Sequence, residues 1–191
     1  MITLLIFSIA FILIYILNLC VFLGAISFAS ITFIYLGSVV GIFLINLLVA
    51  GVCCKIFPNK WFNDQLKLYR PTKKECRFYE KIGIKKWKDK TAEWGGLNGF
   101  SKNKIEDPNS PEYIKKFILE INKGFLDHFI SLFISFFAIF ILPSKFWLPM
   151  GLPIAITSFI LNIIPVFILR YNMPRLQVML KFAERKAERK S

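Results

Sequence analysis

His128 is the only histidine in the chain, and it stands where a charged segment meets an apolar one. Residues 111–120 upstream carry several ionisable groups, whereas residues 129–142 downstream are apolar apart from two serines. Imidazole is the side chain whose unperturbed pKa lies nearest neutrality, so His128 is a candidate for general acid–base chemistry. Ionisable groups at membrane depth are costly and therefore mark candidate sites. A structural or interfacial role for this lone histidine is the alternative that the residue itself leaves open.

A charged face precedes the histidine. Lys116, Glu120, Lys123 and Asp127 recur at helical spacing and fall on one side of a helix. His128 lies about 80° around that helix from Glu120 and about 12 Å along it. The two side chains therefore cannot hydrogen-bond directly on an unbroken helix, and they could cooperate only across a bend at Gly124 or through a substrate held between them. A solvated stripe of charges is the alternative reading.

Two basic blocks are further candidates for binding a polar or anionic group. The first, at 85–90, places Trp87 and Lys88 together, and the second, at 170–176, contains Arg170, Asn172 and Arg175. An arginine after an apolar segment can clamp a carboxylate or phosphate with two parallel hydrogen bonds. Anchoring at a membrane surface and a positive-inside signal are the alternatives for these blocks.

The elements that must position these residues are membrane spans. The first charged residue is Lys55, so residues 1–54 carry no ionisable side chain, and that length exceeds twice the ~20 residues that one span needs. Backbone groups in hydrocarbon must be paired within the segment, so each span must be helical. The pattern predicts an all-α integral membrane protein with four spans, separated by turns near Gly24 and Pro143. Their predicted ranges are 2–22, 32–54, 124–142 and 146–169.

The spans divide the chain into four predicted segments. Residues 1–54 form a membrane hairpin, 55–123 an interfacial basic and aromatic segment, 124–169 a second hairpin and 170–191 a basic tail. Residues 55–127 carry 17 Lys and Arg against 10 Asp and Glu, and the tail carries 7 against 2. Basic loops stay in the cytoplasm, so both termini and the middle segment are predicted to be cytoplasmic. A helix start is predicted at Pro111, with Ser110 as its cap.

The same distribution argues against several classes of protein. The net charge of +13 flanks the spans, as contact with anionic lipid produces, and this pattern does not favour a nucleic-acid partner. The four cysteines form no CxxC pair, and Cys20 lies inside a span, so neither a metal site nor a disulfide framework is predicted.

Several residue blocks follow one another along the chain, at 58–62, 78–81, 86–88, 120–128 and 170–176, and the basic tail comes after them. In the order and spacing of these blocks, the chain resembles the glycosyl-4,4'-diaponeurosporenoate acyltransferase family, which performs the terminal acylation in staphyloxanthin carotenoid biosynthesis. The resemblance covers roughly residues 55–191 and leaves out the N-terminal two-span segment. Phe125 stands where the family pattern has a second acidic residue.

The resemblance implies transfer of a fatty acyl chain to a hydroxyl of a glycosylated carotenoid at the membrane interface. Acyl transfer needs a base for the acceptor hydroxyl, and our hypothesis assigns His128 as that base and Glu120 as an orienting or acceptor-binding carboxylate. Membrane lipids, an amphiphilic acceptor and a fatty acyl donor are the expected partners, and no cofactor or metal is expected beyond the donor. The residues expected to line the polar pocket are Trp87, Lys88, Arg170, Asn172 and Arg175.

Two other functions remain open at the level of sequence. One is acylation of a different membrane amphiphile, such as a lipoprotein amine or a glycolipid. The other is a non-catalytic membrane protein that binds lipid or a partner enzyme.

Overall fold

The structure is a computed structural model that describes residues 2–63, 66–91 and 105–189. Every regular element in these ranges is helical, and the sole strand-like feature there is an isolated bridge between Leu23 and Ile26. The α-helices are α1 (Ile2–Phe22), α2 (Phe28–Gly51), α3 (Lys73–Lys81), α4 (Ile84–Trp87), α5 (Pro111–Phe137) and α6 (Leu152–Glu188). Short 3₁₀ and π turns join them at Val52–Ile56, Asn59–Phe62, Lys67–Tyr69, Lys88–Lys90, Ala138–Ile141, Ser144–Phe146 and Trp147–Gly151.

Among the described residues, four helical stretches are long and apolar enough to cross a membrane, which confirms the predicted fold class. They are Leu5–Phe22, Phe28–Ile56, Pro111–Ile141 and Ser144–Glu188. The protein is therefore a multi-pass, all-α membrane protein.

The helices extend beyond the predicted spans at three ends. α2 begins at Phe28, four residues earlier than predicted, because Ser27 caps it by accepting a hydrogen bond from the Ser30 backbone N–H. α5 runs without interruption from Pro111 through Gly124, since one glycine costs a helix only about 1 kcal/mol. α6 likewise continues past the predicted end of the fourth span and carries the basic tail as part of the same helix. Ser110 caps α5 as predicted, with its Oγ 3.2 Å from the Tyr113 backbone nitrogen.

The described chain separates into two compact units. The first unit comprises Met1–Val52 and Asp127–Ile164, and the second comprises Cys53–Leu126 and Pro165–Ser191. The boundary between the units falls within α5 and again within α6, so each of these helices contributes residues to both units.

The first unit has an apolar core between its helices. Ile31, Met150 and Ile154 are fully buried there, and the rings of Phe22 and Phe146 lie 4.8 Å apart. The turn that connects α1 and α2 depends on Gly24, whose φ of +106° is costly for any residue with a Cβ. Many large apolar side chains on the outer faces of α1 and α2 remain exposed, as contact with lipid requires.

The second unit is built around aromatic packing. Tyr79, Ile84 and Tyr171 form its buried cluster, and the Phe167 ring lies 5.4 Å from that of Tyr79. The buried Asn122 amide donates a 2.8 Å hydrogen bond to the Phe62 carbonyl, which secures the segment after α2 against α5.

Candidate active site

His128 is held by an amide within the first unit. Its Nδ1 lies 2.9 Å from Oδ1 of Asn162 on α6, and the histidine side chain is half-buried. A carboxamide oxygen only accepts hydrogen bonds, so Nδ1 must carry the proton and donate it to Asn162. In the neutral imidazole this leaves Nε2 as the basic nitrogen.

The orientation of the Asn162 amide follows from its other contacts. Asn162 Nδ2 donates to the Ser158 carbonyl at 2.9 Å and to Oδ1 of Asn46 on α2 at 3.3 Å. Both partners are acceptors, so the nitrogen must point towards them and the oxygen towards His128.

The network extends further into the first unit. Asn46 Nδ2 donates to the Ile42 carbonyl at 2.8 Å and to Ser158 Oγ at 3.3 Å. Ser158 Oγ also lies 2.7 Å from Ser135 Oγ on α5. Hydrogen bonds thus join α2, α5 and α6 through buried and half-buried polar groups. Such groups are expensive in an apolar interior unless they are paired, as these are.

Glu120 is engaged with a neighbouring charge in the second unit. Lys123 Nζ lies 3.0 Å from Glu120 Oε1, and the lysine side chain is only 10% exposed. The carboxylate therefore compensates a nearly buried ammonium one turn along α5. The part of Glu120 in orienting an imidazole or binding an acceptor stays a prediction.

Arg170 is surrounded by protein acceptors in the second unit. Its Nε and Nη2 donate to the two carboxylate oxygens of Glu75 at 2.8 and 2.9 Å, and Nη1 donates to the Leu68 carbonyl. A further bond of 3.4 Å reaches the Arg70 carbonyl, and the guanidinium lies 5.0 Å from the centre of the Phe125 ring. Arg170 thus connects α6 with the segment before α3 and with α5, and its contact with a substrate stays a prediction.

The Glu75 carboxylate is stabilised in its charged form. Burial by itself would raise the pKa of Glu75, but the hydrogen bonds from Arg170 and Thr72, together with the arginine charge, lower that pKa below its usual value. Burial, reinforced by the charge of Glu75, raises the pKa of Tyr79 to about 12. The Tyr79 hydroxyl therefore keeps its proton at neutral pH and donates to Glu75 Oε1 at 3.3 Å.

The remaining predicted pocket residues also lie in the second unit. Trp87 packs against the aromatic cluster and donates from Nε1 to the Ile82 carbonyl at 3.2 Å. Arg175 donates to the Tyr171 hydroxyl at 3.1 Å and lies over the same ring. Lys88 pairs with Asp89 at 3.0 Å, and Asn172 is half-buried. The structure thus brings Trp87 and Arg175 to one aromatic cluster. Trp94, which lies outside the residue blocks that carry the sequence resemblance, is not among the described residues.

An open groove passes Arg175. It has a volume of about 330 Å³, and Arg175, Met179, Phe182 and Lys186 of α6 form one wall. A cation beside apolar side chains suits an amphiphilic ligand. No group of three or more His, Cys, Asp or Glu side chains is close enough to hold a metal ion within residues 2–63, 66–91 and 105–189.

Sequence reasoning did not identify Asn162, Asn46, Ser158 or Glu75. A signal for three of them was present, because each polar residue inside an apolar span is a candidate for function. Ser158 and Asn162 are also four residues apart, which places them on one face of a helix. Glu75 gave no such signal, since it lies among other charged residues.

A family model for glycosyl-4,4'-diaponeurosporenoate acyltransferase matches residues 58–182, which include His128, Glu120, Asn162 and Arg170. The chain belongs to this family. As a member of this family of carotenoid biosynthesis, the protein is a membrane acyltransferase. No curated protein and no solved structure matches the chain.

Proposed function

We propose that this acyltransferase moves a fatty acyl chain onto a hydroxyl of a glycosylated carotenoid at the membrane interface, with His128 as the general base. The observation that carries the proposal is the 2.9 Å hydrogen bond between His128 Nδ1 and Asn162 Oδ1. An imidazole that is oriented through one nitrogen presents the other as a base, and this is the arrangement that activates hydroxyl groups in many acyl-transfer enzymes.

The place of the histidine in the first unit suits amphiphilic substrates. His128 follows Asp127 by one residue, and the apolar part of α5 begins at Phe129. Asn162 and Asn46 lie in the apolar stretches of α6 and α2, before the basic residues Arg170 and Lys55 that follow them. A polar base near the ends of apolar helices meets a sugar hydroxyl whose carotenoid body stays in the hydrocarbon.

The proposed step balances without any reagent beyond the acyl donor, which is an ester or thioester. His128 Nε2 takes the proton of the acceptor hydroxyl while the oxygen of that hydroxyl attacks the acyl carbonyl carbon. The tetrahedral oxyanion then collapses, the bond to the leaving alcohol or thiol breaks, and the imidazolium returns its proton to that leaving group. Asn162 keeps Nδ1 protonated throughout, because its oxygen accepts from both the neutral ring and the imidazolium.

The basic segments set the proposed orientation. The middle segment and the tail both carry excess Lys and Arg, and two spans separate them, so both face the cytoplasm together with the termini. The acyl donor is then supplied from that side.

The test compares His128→Ala with the unchanged protein in lipid nanodiscs, with acyl transfer followed by mass spectrometry. General-base catalysis is worth about 10²–10⁴ in rate, so we expect His128→Ala to lose that much turnover while inserting normally. Thr157→Val is the matched control, since Thr157 lies on α6 beside Ser158 and its hydroxyl donates to the Pro153 carbonyl in its own helix.

Three acceptors are supplied separately: a glycosylated carotenoid, a peptide with a lipoprotein-type amine, and a glycolipid. Acylation of the carotenoid glycoside alone supports the proposed acceptor, whereas preference for either alternative overturns it. A well-inserted His128→Ala protein with normal turnover shows that another group is the base.

A further inference from the structure

Asn46 belongs to the part of the chain that the family match does not cover. The match begins at residue 58, whereas Asn46 lies on α2 in the N-terminal membrane hairpin. Its side chain nevertheless accepts a hydrogen bond from Asn162, the residue that holds His128. The hairpin therefore contributes a polar group to the network around the candidate base.

Asn46 itself has a defined orientation. Its Nδ2 donates to the Ile42 carbonyl in its own helix and to Ser158 Oγ on α6. With the nitrogen occupied by these two acceptors, the oxygen of Asn46 must face Asn162 Nδ2. The contacts of Asn46 thus fix the direction of its own amide, and the oxygen of that amide in turn accepts from the Asn162 nitrogen.

The alternative orientation of Asn162 is unfavourable because of these contacts. If its amide rotated by 180°, the oxygen would face two acceptors, the Ser158 carbonyl and Asn46 Oδ1, and two hydrogen bonds would be lost. The nitrogen would then face His128 Nδ1, which would have to accept instead of donate. The ring proton would move to Nε2, and the basic nitrogen would be the one turned towards Asn162.

We propose that Asn46 is a positioning residue that selects the tautomer of His128 by fixing the direction of the Asn162 amide. Its effect on the tautomer is independent of the reaction, whereas its effect on catalysis rests on the proposed role of His128 as the base. Through Asn46, the N-terminal hairpin contributes a positioning residue to the active site as well as two membrane spans.

The first test reads the tautomer directly. Because the chain has a single histidine, ¹⁵N-histidine labelling of protein purified through a histidine-free tag gives ring signals from His128 alone. Spectra are recorded over a pH series, and the tautomer is read at the alkaline end, where the ring signals no longer change with pH. The unchanged protein should show a protonated Nδ1 and an unprotonated Nε2.

Asn46→Leu keeps the approximate shape of the side chain and removes its hydrogen bonds. We expect the ratio of the Nε2–H to the Nδ1–H tautomer to rise by about 2- to 10-fold, the worth of one net hydrogen bond. Ser38→Ala, two turns away on α2, removes a hydroxyl that bonds to the Ile34 carbonyl and to Met150 Sδ, and it should leave the ratio unchanged. Asn46→Ala should act like Asn46→Leu. An unchanged tautomer ratio in both Asn46 variants overturns the proposal.

A double-mutant cycle connects the tautomer to turnover. Asn46→Leu should lower kcat by about 2- to 10-fold with little change in KM. In a chain that already carries Asn162→Leu it should lower kcat no further, because Asn46 acts only through Asn162. Equal losses in both backgrounds would show a merely structural role. A shifted tautomer ratio in an enzyme that tolerates His128→Ala would uphold the positioning of the ring and refute only its use as the base.

Discussion

Glu120 is the counter-charge of Lys123 on α5. The lysine ammonium is nearly buried and lies 3.0 Å from the Glu120 carboxylate, so the glutamate cannot be changed without consequence for the lysine. Any role of Glu120 in catalysis must therefore be separated from its role as the counter-charge of Lys123.

Glu120→Gln keeps the shape of the side chain and removes its charge. We expect turnover to fall and, because a largely buried ammonium loses its partner, the stability to fall by about 1–3 kcal/mol. Turnover is measured in nanodiscs and stability by thermal unfolding in detergent. The double variant Glu120→Gln with Lys123→Met should recover stability. If it also recovers full turnover, Glu120 has no part in catalysis beyond its pairing with Lys123.

Arg170 makes contacts that a lysine cannot reproduce. Its planar guanidinium bonds both Glu75 oxygens and two backbone carbonyls while it stacks on Phe125. A lysine keeps the charge but lacks the fork geometry. We expect Arg170→Lys to destabilise the second unit by about 1–3 kcal/mol, the loss of one or two charge-assisted hydrogen bonds. Thermal unfolding measures this loss, and an unchanged unfolding temperature would contradict the structural role of the arginine.

At the scale of elements, α3 owes its start to a reciprocal cap. The Thr72 hydroxyl accepts from the Glu75 backbone N–H at 3.2 Å, and the Glu75 carboxylate accepts from the Thr72 backbone N–H at 2.8 Å. The same carboxylate receives Arg170 from α6, so one side chain both begins a helix and connects it to another.

This double use of Glu75 makes the second unit sensitive to acid. The pKa of Glu75 is lower in the folded chain than in the unfolded one, so its stabilisation is complete above the unfolded value of about 4.3. It is lost as the pH falls from that value through the folded pKa. We expect the unfolding temperature to drop over this range in the unchanged protein and to drop less in Glu75→Gln. If the unfolding temperature falls equally with pH in the two proteins, Glu75 is not responsible for the loss of stability in acid.

At the scale of the whole molecule, the number of spans determines which segments share a side of the membrane. The described part of the chain has four helices long and apolar enough to cross a membrane, and two of them separate the middle segment from the basic tail. An even number of intervening spans returns the chain to the same side.

Labelling of single cysteines tests that topology in a chain whose four natural cysteines are replaced by alanine. Cysteines at Lys74 and Lys186 should react with an impermeant reagent from the cytoplasmic side, and a cysteine at Ser144 from the opposite side. If the cysteines at positions 74 and 186 react from opposite sides, an odd number of spans must separate them. That result would refute the four-span topology.

Sequence reasoning recognised the parts of the molecule that depend on local composition. The four spans, the turn at Gly24 and the cap at Ser110 follow from runs of apolar residues and from single residues with strong backbone preferences. The family assignment was likewise readable from the order of its blocks and is confirmed by the match over residues 58–182. The start of α5 at Pro111 is confirmed, whereas α6 continues beyond the predicted fourth span, because a change from apolar to charged residues marks the edge of a span and not the end of a helix.

By itself, the sequence determined that this is a four-span membrane acyltransferase with one imidazole near the end of a span. Only the tertiary structure decided what holds that imidazole. His128 and Asn162 are 34 residues apart, Asn46 and Asn162 are 116 apart, and Glu75 and Arg170 are 95 apart. Helical periodicity places a residue on a face, but which face of another helix it meets depends on how the helices rotate and cross. Hydrogen bonds between helices act over about 3 Å, so they are decided only when the packing is complete.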